Sequence, residues 1–359
     1  MIRNSYVVSL LFAALTGCVA SPPGIVDFVF NIFTGEMPFE PAADPVFIDE
    51  PIFDYVPDKV GSHAASITTF PDGELLAAWY SYDGPEELNG SAIYMARRPA
   101  GSERWGRPRL HIDRAAGDGN PVLYSEADNV WLFQAVVPFG WSTSHIEMQT
   151  SDDRGRTWSE PRAIAGPLGA NTRYPPVRMA DGRLLLPAYD NLILRSLFYT
   201  STDGRDWTLD SIVFTGPPHQ HLQPSVAKMK SGRLLAVMRD AGQTWMWVTV
   251  SDDNARSWTL PADSGFPNSG SPSALLRLAS DNLLLVYNAS RVARRPLSVA
   301  LSPDGGETWT PGRVIADGES SYSYPSVAQT PDGLIHVVFS EARRRIRHVT
   351  LNEGWIVSP

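Results

Sequence analysis

The stretch Ser302-Pro-Asp-Gly-Gly-Glu-Thr-Trp309 occurs more than once in this chain, and that repetition constrains the fold more than any other feature. Residues 151–158 repeat the pattern Ser-x-Asp-x-Gly-x-Thr-Trp without change. Residues 251–258 replace its Gly and Thr, and residues 201–207 run one residue short. Each part of the pattern has a physical use. The Asp accepts backbone N–H groups inside a turn, the Gly permits a positive φ, and the Trp seals the turn against the layer below.

From Gly61 onward a unit of about 50 residues recurs, a period that belongs to propellers and solenoids. Trp105, Trp158, Trp207, Trp258, Trp309 and Trp355 mark it once. The turns Asp72-Gly73, Asp128-Asn129, Asp181-Gly182, Ser231-Gly232, Asp281-Asn282 and Asp332-Gly333 mark it again. Each of these dipeptides lies between apolar runs, the strongest short-range hairpin signal. Six units predict an all-β chain: a six-bladed β-propeller with four-stranded antiparallel blades and essentially no helix after the leader.

The N-terminus reads as an export signal. Arg3 supplies a short positive region, and Tyr6 to Leu15 is an apolar run too short to span a bilayer as a helix. It ends in Leu15-Thr16-Gly17-Cys18, which looks like a bacterial lipobox, where the cysteine is lipidated. Cys18 is the only cysteine, so the mature chain is expected to hold no disulfide. The expected organisation is a lipoprotein signal peptide over residues 1–17, a tether over 18–44 and the propeller over 45–359. The Pro-rich stretch around Pro45 to Tyr55 is expected to lie extended on the domain and to add a strand that closes the ring. The expected location is the bacterial cell envelope, lipid-anchored, with Val19 after the cysteine favouring the outer membrane by resemblance.

A net charge of −9 argues against a nucleic-acid surface, although a locally basic pocket for an anionic sugar remains compatible with it. Eleven Trp and twelve Tyr suit sugar stacking. His219-Gln-His221 lacks a third ligand at fixed spacing, so neither a metal nor a cofactor is expected. The chain reads as a monomer.

The repeat also indicates which face carries function. With strands a to d counted outward from the axis, the Ser-x-Asp turns lie opposite the d-to-a and b-to-c loops. A binding site therefore belongs where strand a opens beside the axis. The residues opening strand a read, in order, His63, Asn120, Tyr174, Gln223, Ser271 and Tyr324. The b-to-c loops bring Asp83, Glu86 and Glu87, then Trp141 and His145, Asp190 and Arg195, and Arg239 with Asp240. Asn288 with Arg291, Arg294 and Arg295 follows, then Glu341 with Arg343, Arg344 and Arg345.

The repeated turn resembles the Asp box of the sialidase (neuraminidase) superfamily, and the resemblance covers Gly61 to Trp355. That family holds a substrate carboxylate with three arginines, whose planar forks suit it. It uses a Tyr paired to a Glu as nucleophile and an Asp as acid/base. By this resemblance Tyr324-Pro-Ser-Val is similar to the nucleophile segment and Arg239 to the second clamp arginine. Arg295, or else Arg291 or Arg294, is similar to the third. Asp83, Glu86 or Glu87 falls where the acid/base belongs. Two positions depart from the family: His63 stands where the first arginine is expected, and Gln223 where the activating Glu is expected. Glu341, Asp240 and His63 are the alternative bases for Tyr324.

The resemblance implies an exo-acting glycoside hydrolase that removes a terminal acidic sugar, sialic acid or a related ulosonic acid. Tyr324, Asp83, His63 and Glu87 are the candidate catalytic residues. Arg239, Arg295, Arg343, Gln223, Asn120, Tyr174 and Asp190 are the candidates for binding substrate. Two other readings compete. A polysaccharide lyase acting on uronates needs an Arg and a His or Tyr base, and a glycan-binding lipoprotein needs no chemistry.

Overall fold

The structure, a computed structural model, describes residues 31–32, 44–84, 90–242 and 245–358. Six antiparallel sheets form a six-bladed propeller, as the repeat requires. Blade 1 runs through Gly61–Thr69, Leu75–Tyr82, Ala92–Arg98 and Arg109–Ile112. Blades 2 to 5 follow the same order, with strands a at Gly117–Glu126, the broken pair Ala170–Thr172 and Val177–Arg178, His221–Lys228 and Ala274–Arg277.

Blade 6 takes Tyr322–Gln329, Ile335–Glu341 and Arg345–Leu351 from the end of the chain. Its outermost strand, Phe47–Pro51, comes from the beginning and pairs antiparallel with Arg345–Leu351. The two ends of the described propeller thus close the ring by hydrogen bonding. A short parallel pairing joins Asn31–Ile32 to Thr308–Trp309. Trp355 departs from the expected series. It lies in a C-terminal helix, Glu353–Val357, and stacks on Phe47 with ring centroids 4.4 Å apart.

Strand b is buried along its whole length in several blades, as in Leu184–Asp190, because it is covered on both faces by neighbouring blades. Full burial of each Leu, Val or Phe there stabilises the fold by roughly 1.5–3 kcal/mol. The Ser-x-Asp turns behave as their residue types dictate. Asp153 Oδ1 accepts the N–H groups of Arg156 and Thr157, both at 2.8 Å, and its Oδ2 accepts Thr157 Oγ1 at 2.7 Å. Asp253 and Asp304 repeat the bonds to the residue four places on. Trp158 and Trp309 each donate Nε1–H back to the glycine carbonyl of their own turn, at 3.1 Å.

Strand a opens with a β-bulge in blades 1, 2, 4 and 6. In each, one residue takes a positive φ: Ala64 (53°), Asn120 (43°), Gln223 (53°) and Tyr324 (57°). A non-glycine residue in that region costs about 1–2 kcal/mol. The bulge re-aims one side chain off the alternating pattern of the strand. Beyond the bulge, serines link neighbouring blades: Ser66 Oγ accepts Leu123 N, Ser225 Oγ accepts Leu275 N and Ser326 Oγ accepts Ile67 N.

Candidate active site

The bulges deliver their side chains to one place. A cavity of about 500 Å³ opens on the loop face, and Asn120, Gln223 and Tyr324 all line it. Strand b adds Tyr80, Tyr189 and Arg239, and the b-to-c loops add Phe139, Trp141, Asn191, Arg294 and Arg343. Its described lining contains three guanidinium groups and no carboxylate.

Tyr324 is half-buried, and Arg239 Nη1 lies 3.4 Å from its hydroxyl. The same Arg239 nitrogen donates to Gly270 O at 2.9 Å, which fixes the guanidinium beside the phenol. Arg294 stands 5.6 Å from the Tyr324 ring centre and also donates to Gly270 O. Tyr189 is buried beneath the pocket. Its hydroxyl receives Gln223 Nε2 and Asn120 Nδ2, both at 3.0 Å, and burial first of all pushes it up to about 12. Gln223 Oε1 and Arg239 Nε are buried and have no hydrogen-bond partner among the described residues.

Not every residue expected in the pocket reaches it. Arg295 turns away and donates to Gly318 O at 2.7 Å, so Arg294 holds the place expected of it. Asp190 is fully buried. Its carboxylate accepts the N–H groups of Leu192 and Ile193 and pairs with Arg195 Nε at 2.8 Å, so it braces its own loop. Asp240, one of the alternative bases, is equally buried and bonds Gly242 N and the rings of His219 and Trp247. Glu341, the other, is paired with Arg345 and Arg347. Asp83 is exposed, does not line the cavity, and faces Lys59 at 3.4 Å. Glu86, Glu87 and Cys18 lie outside the described residues.

His63 is placed one residue away from its expected position. The bulge residue of blade 1 is Ala64, and His63 stands where blade 6 has Ser323. It is buried, with Nδ1 2.7 Å from Ser340 Oγ and its ring 4.3 Å from the Tyr324 ring. Burial, reinforced by the guanidinium groups of Arg343, Arg294 and Arg173, holds its pKa well below the ordinary imidazole range, so the ring is neutral.

Tyr174 also misses the pocket. It is buried and lines a separate channel of about 290 Å³ that follows the axis between the six strands a. Between that channel and the pocket lies a residue that sequence reasoning passed over. Arg173 is 1% exposed. Its Nη2 donates to Ala65 O at 2.8 Å and Tyr324 O at 2.6 Å, and its Nη1 to Ala64 O at 3.4 Å. Tyr80 and Tyr189 were missed as well, although the repeat contains their signal. Each is the sixth residue of a strand b that opens at Leu75 or Leu184, as Arg239 is in the strand that opens at Leu234.

Comparison with known proteins agrees with this architecture. Residues 73–337 match the BNR repeat-like domain. The chain is 24% identical to a sialidase of Micromonospora viridifaciens over 409 aligned positions, covering 98% of this chain and 60% of that protein. It is 22% identical to a sialidase of Bacteroides fragilis, covering 79% of this chain and again 60% of the relative. The chain thus spans about 60% of the length of either relative. Among solved structures, a Hadza microbial sialidase superposes with a TM-score of 0.72 at 18% identity, over 82% of this chain and 66% of that one. With the BNR repeat-like domain spread over most of the propeller, the chain belongs to the sialidase-like superfamily of BNR-repeat β-propellers.

Proposed function

We propose that this protein is an exo-acting glycoside hydrolase that removes a terminal acidic sugar, sialic acid or a related ulosonic acid, from glycans. One observation carries the reading: Arg239, Arg294 and Arg343 converge with Tyr324 on a single open cavity that has no carboxylate in its described lining. Guanidinium forks grip a carboxylate through paired, charge-assisted hydrogen bonds. A carboxylate held there sets the anomeric carbon of a ulosonic acid beside Tyr324. Phe139, 89% exposed on the rim, and Trp141 offer faces for the rest of the glycan.

In this reading Tyr324 gives up its phenolic proton to water in the pocket, and its oxygen bonds to the anomeric carbon as the bond to the leaving oxygen breaks. The leaving oxygen takes a proton from an acid on the first-blade loop, Asp83 or its neighbours Glu86 and Glu87. Water then adds to the anomeric carbon and gives a proton back to that acid as the bond to the Tyr324 oxygen breaks. Both sialidase relatives are consistent with this substrate class. The test is to incubate the pure protein with a panel of acid-terminated glycans and identify the products. A free acidic sugar is expected, and no release from any member of the panel overturns the reading.

A lyase reading draws on a separate observation, the neutral His63 ring packed on Tyr324 with Gln223 in place of a carboxylate. It is recognised by an unsaturated uronate product absorbing in the ultraviolet. The proposed setting is a lipid anchor at Cys18 in the cell envelope. Cys18→Ala is expected to leave the membrane fraction or remain unprocessed, and a variant that fractionates like the wild type rules the anchor out.

A further inference from the structure

Arg173 is a fully buried guanidinium that forms no ion pair with a carboxylate among the described residues. Its partners are four main-chain carbonyls, of Ala64, Ala65, Tyr324 and Pro325, the last at 3.3 Å. Its Nε has no hydrogen-bond partner among the described residues. A buried charge without a counter-charge is costly and persists only where something compensates it. Burial weighs most against its charge and lowers its pKa, and the groups that oppose that effect are all tyrosines: Tyr174, Tyr324, Tyr189 and Tyr80.

Those tyrosines are not equivalent. Tyr174 and Tyr189 are buried, and burial raises the pKa of both. Tyr80 is buried as well, at 1% exposure. Tyr324 alone of the four is half-exposed on an open cavity, where water can take its proton. Its ring centre lies 5.5 Å from the Arg173 guanidinium and 5.6 Å from that of Arg294, and Arg239 reaches its hydroxyl. Among the described residues Arg343, also on the pocket wall, and the neutral His63 face it as well. No carboxylate lines that cavity among the described residues.

The geometry points to Arg173 as the positioning residue that activates Tyr324: it holds the bulge that aims the phenol and is the fixed charge against which the phenolic proton leaves. The O–H bond of Tyr324 breaks, the proton passes to water in the pocket, and the phenolate remains as counter-ion to Arg173. Gln223 then needs no proton-accepting role. The inference rests on Tyr324 being the reacting group in the proposed hydrolysis, but its test does not use substrate. A guanidinium whose carbon lies 5.5 Å from the ring centre favours the anion by on the order of one to two pH units, and the clamp arginines add to it.

The test is an absorbance titration of the full-length protein, following the near-ultraviolet phenolate band from neutral to alkaline pH. Of twelve tyrosines, one is expected to ionise about two pH units below the main step, which for ordinary tyrosines lies near pH 10. That early step is expected to vanish in Tyr324→Phe, to move up by about one pH unit or more in Arg173→Met, and to survive in Arg173→Lys. If wild type and Tyr324→Phe titrate alike, the inference fails, however the Arg173 variants fold. It fails too if Arg173→Met folds with a native circular dichroism spectrum and keeps the early step. An early step without turnover of any acidic glycan defeats the hydrolase reading and leaves this inference standing. Turnover without an early step does the reverse.

Discussion

Blades 6 and 3 open with the same words in sequence, Tyr324-Pro325 and Tyr174-Pro175, and fold them to opposite ends. In blade 6 four residues, 324–327, lie between the pairs Ser323↔Ser340 and Ala328↔His336. In blade 3 five residues, 172–176, lie between the matching pairs Asn171↔Tyr189 and Val177↔Leu185. Four residues close as a bulge with Tyr324 at positive φ, which lifts its ring into the pocket. With five, no residue from 172 to 176 needs a positive φ, the tyrosine drops into the axial channel, and the added length carries Arg173 across to blades 1 and 6. A one-residue difference thus converts a second pocket tyrosine into a buried cation beneath the first.

The largest expected effect breaks that comparison if it fails. Tyr324→Phe is expected to lower glycan turnover by at least about a thousandfold, roughly 4 kcal/mol of barrier. Tyr174→Phe, which removes a hydroxyl from the channel and not from the pocket, is expected to stay within about threefold. Equal losses in the two variants would mean that the bulge does not select the reacting residue.

Next in size is the arginine pair. Arg239→Ala removes a partly buried guanidinium from the phenol and the proposed carboxylate site. It is expected to lower kcat/KM by about a hundredfold to a thousandfold, or roughly 3–4 kcal/mol. Arg295→Ala only frees Gly318 O and is expected to stay within about threefold. Steady-state kinetics on one glycan separates the two, and a reversed order would put Arg295 in the pocket.

The propeller was legible because its turns are local. Asp, Gly and Trp at fixed spacing dictate their own backbone, so the sequence pattern and the observed hydrogen bonds coincide at Asp153, Asp253 and Asp304. Openings that carry a proline after the bulge residue, at Asn120, Gln223 and Tyr324, were legible for the same reason. Blade 1 has Ala64-Ala65 instead, and without the proline the reading fell on His63, one residue early. Arg294 and Arg295 are adjacent in a loop, and only tertiary contacts decide which one turns inward. Arg173 was invisible because its meaning lies in the length of blade 3, which local pattern does not register.

Acid sharpens the comparison from the stability side. Blade 6 carries a chain of buried imidazoles and blade 3 has no histidine. Trp105 Nε1–H donates to His348 Nδ1 at 3.1 Å, a nitrogen that also lies 3.2 Å from Glu50 Oε1. His348 Nε2 and His336 Nδ1 are hydrogen-bonded at 3.1 Å, and His336 Nε2 lies 3.1 Å from Thr330 Oγ1. Burial lowers the pKa of both rings, that of His336 to about 3, although Glu50 opposes the shift at His348. A folded pKa below the unfolded value means that the unfolded chain binds the proton more readily. Stability is therefore full above about pH 6.5 and falls as pH drops from there toward about 3. Between pH 7 and 5, His336 alone accounts for a loss of about 2 kcal/mol. In denaturant unfolding His336→Gln is expected to show a decline smaller by about that amount. Hydrogen exchange at pH 5 is expected to speed up over residues 322–351 before it does in blade 3. A variant with the wild-type decline would show that the imidazoles charge without cost.

The smallest effect concerns the residue after the proline. In blades 4 and 6 it is Ser225 or Ser326, and each hydroxyl accepts an N–H from the innermost strand of the next blade: Leu275 N at 2.9 Å and Ile67 N at 3.3 Å. Those N–H groups point toward the axis from the inner edge of a sheet, where no further strand exists to pair them. In blade 3 the same place holds Pro176, which has no hydroxyl to offer, so this bond is absent from its seam with blade 4. Ser225→Ala leaves the Leu275 N–H buried and unpaired, and is expected to cost about 1–2 kcal/mol in denaturant unfolding. Ser326→Ala, whose bond is longer, should cost less, and Pro176→Ala should show no loss of this kind. The two serines thereby separate the two uses of the opening: its tyrosine or glutamine faces the pocket, and its serine ties one blade to the next. Ser225→Ala is accordingly expected to leave kcat/KM unchanged, and a drop in turnover at unchanged stability would show that the seam also positions Gln223.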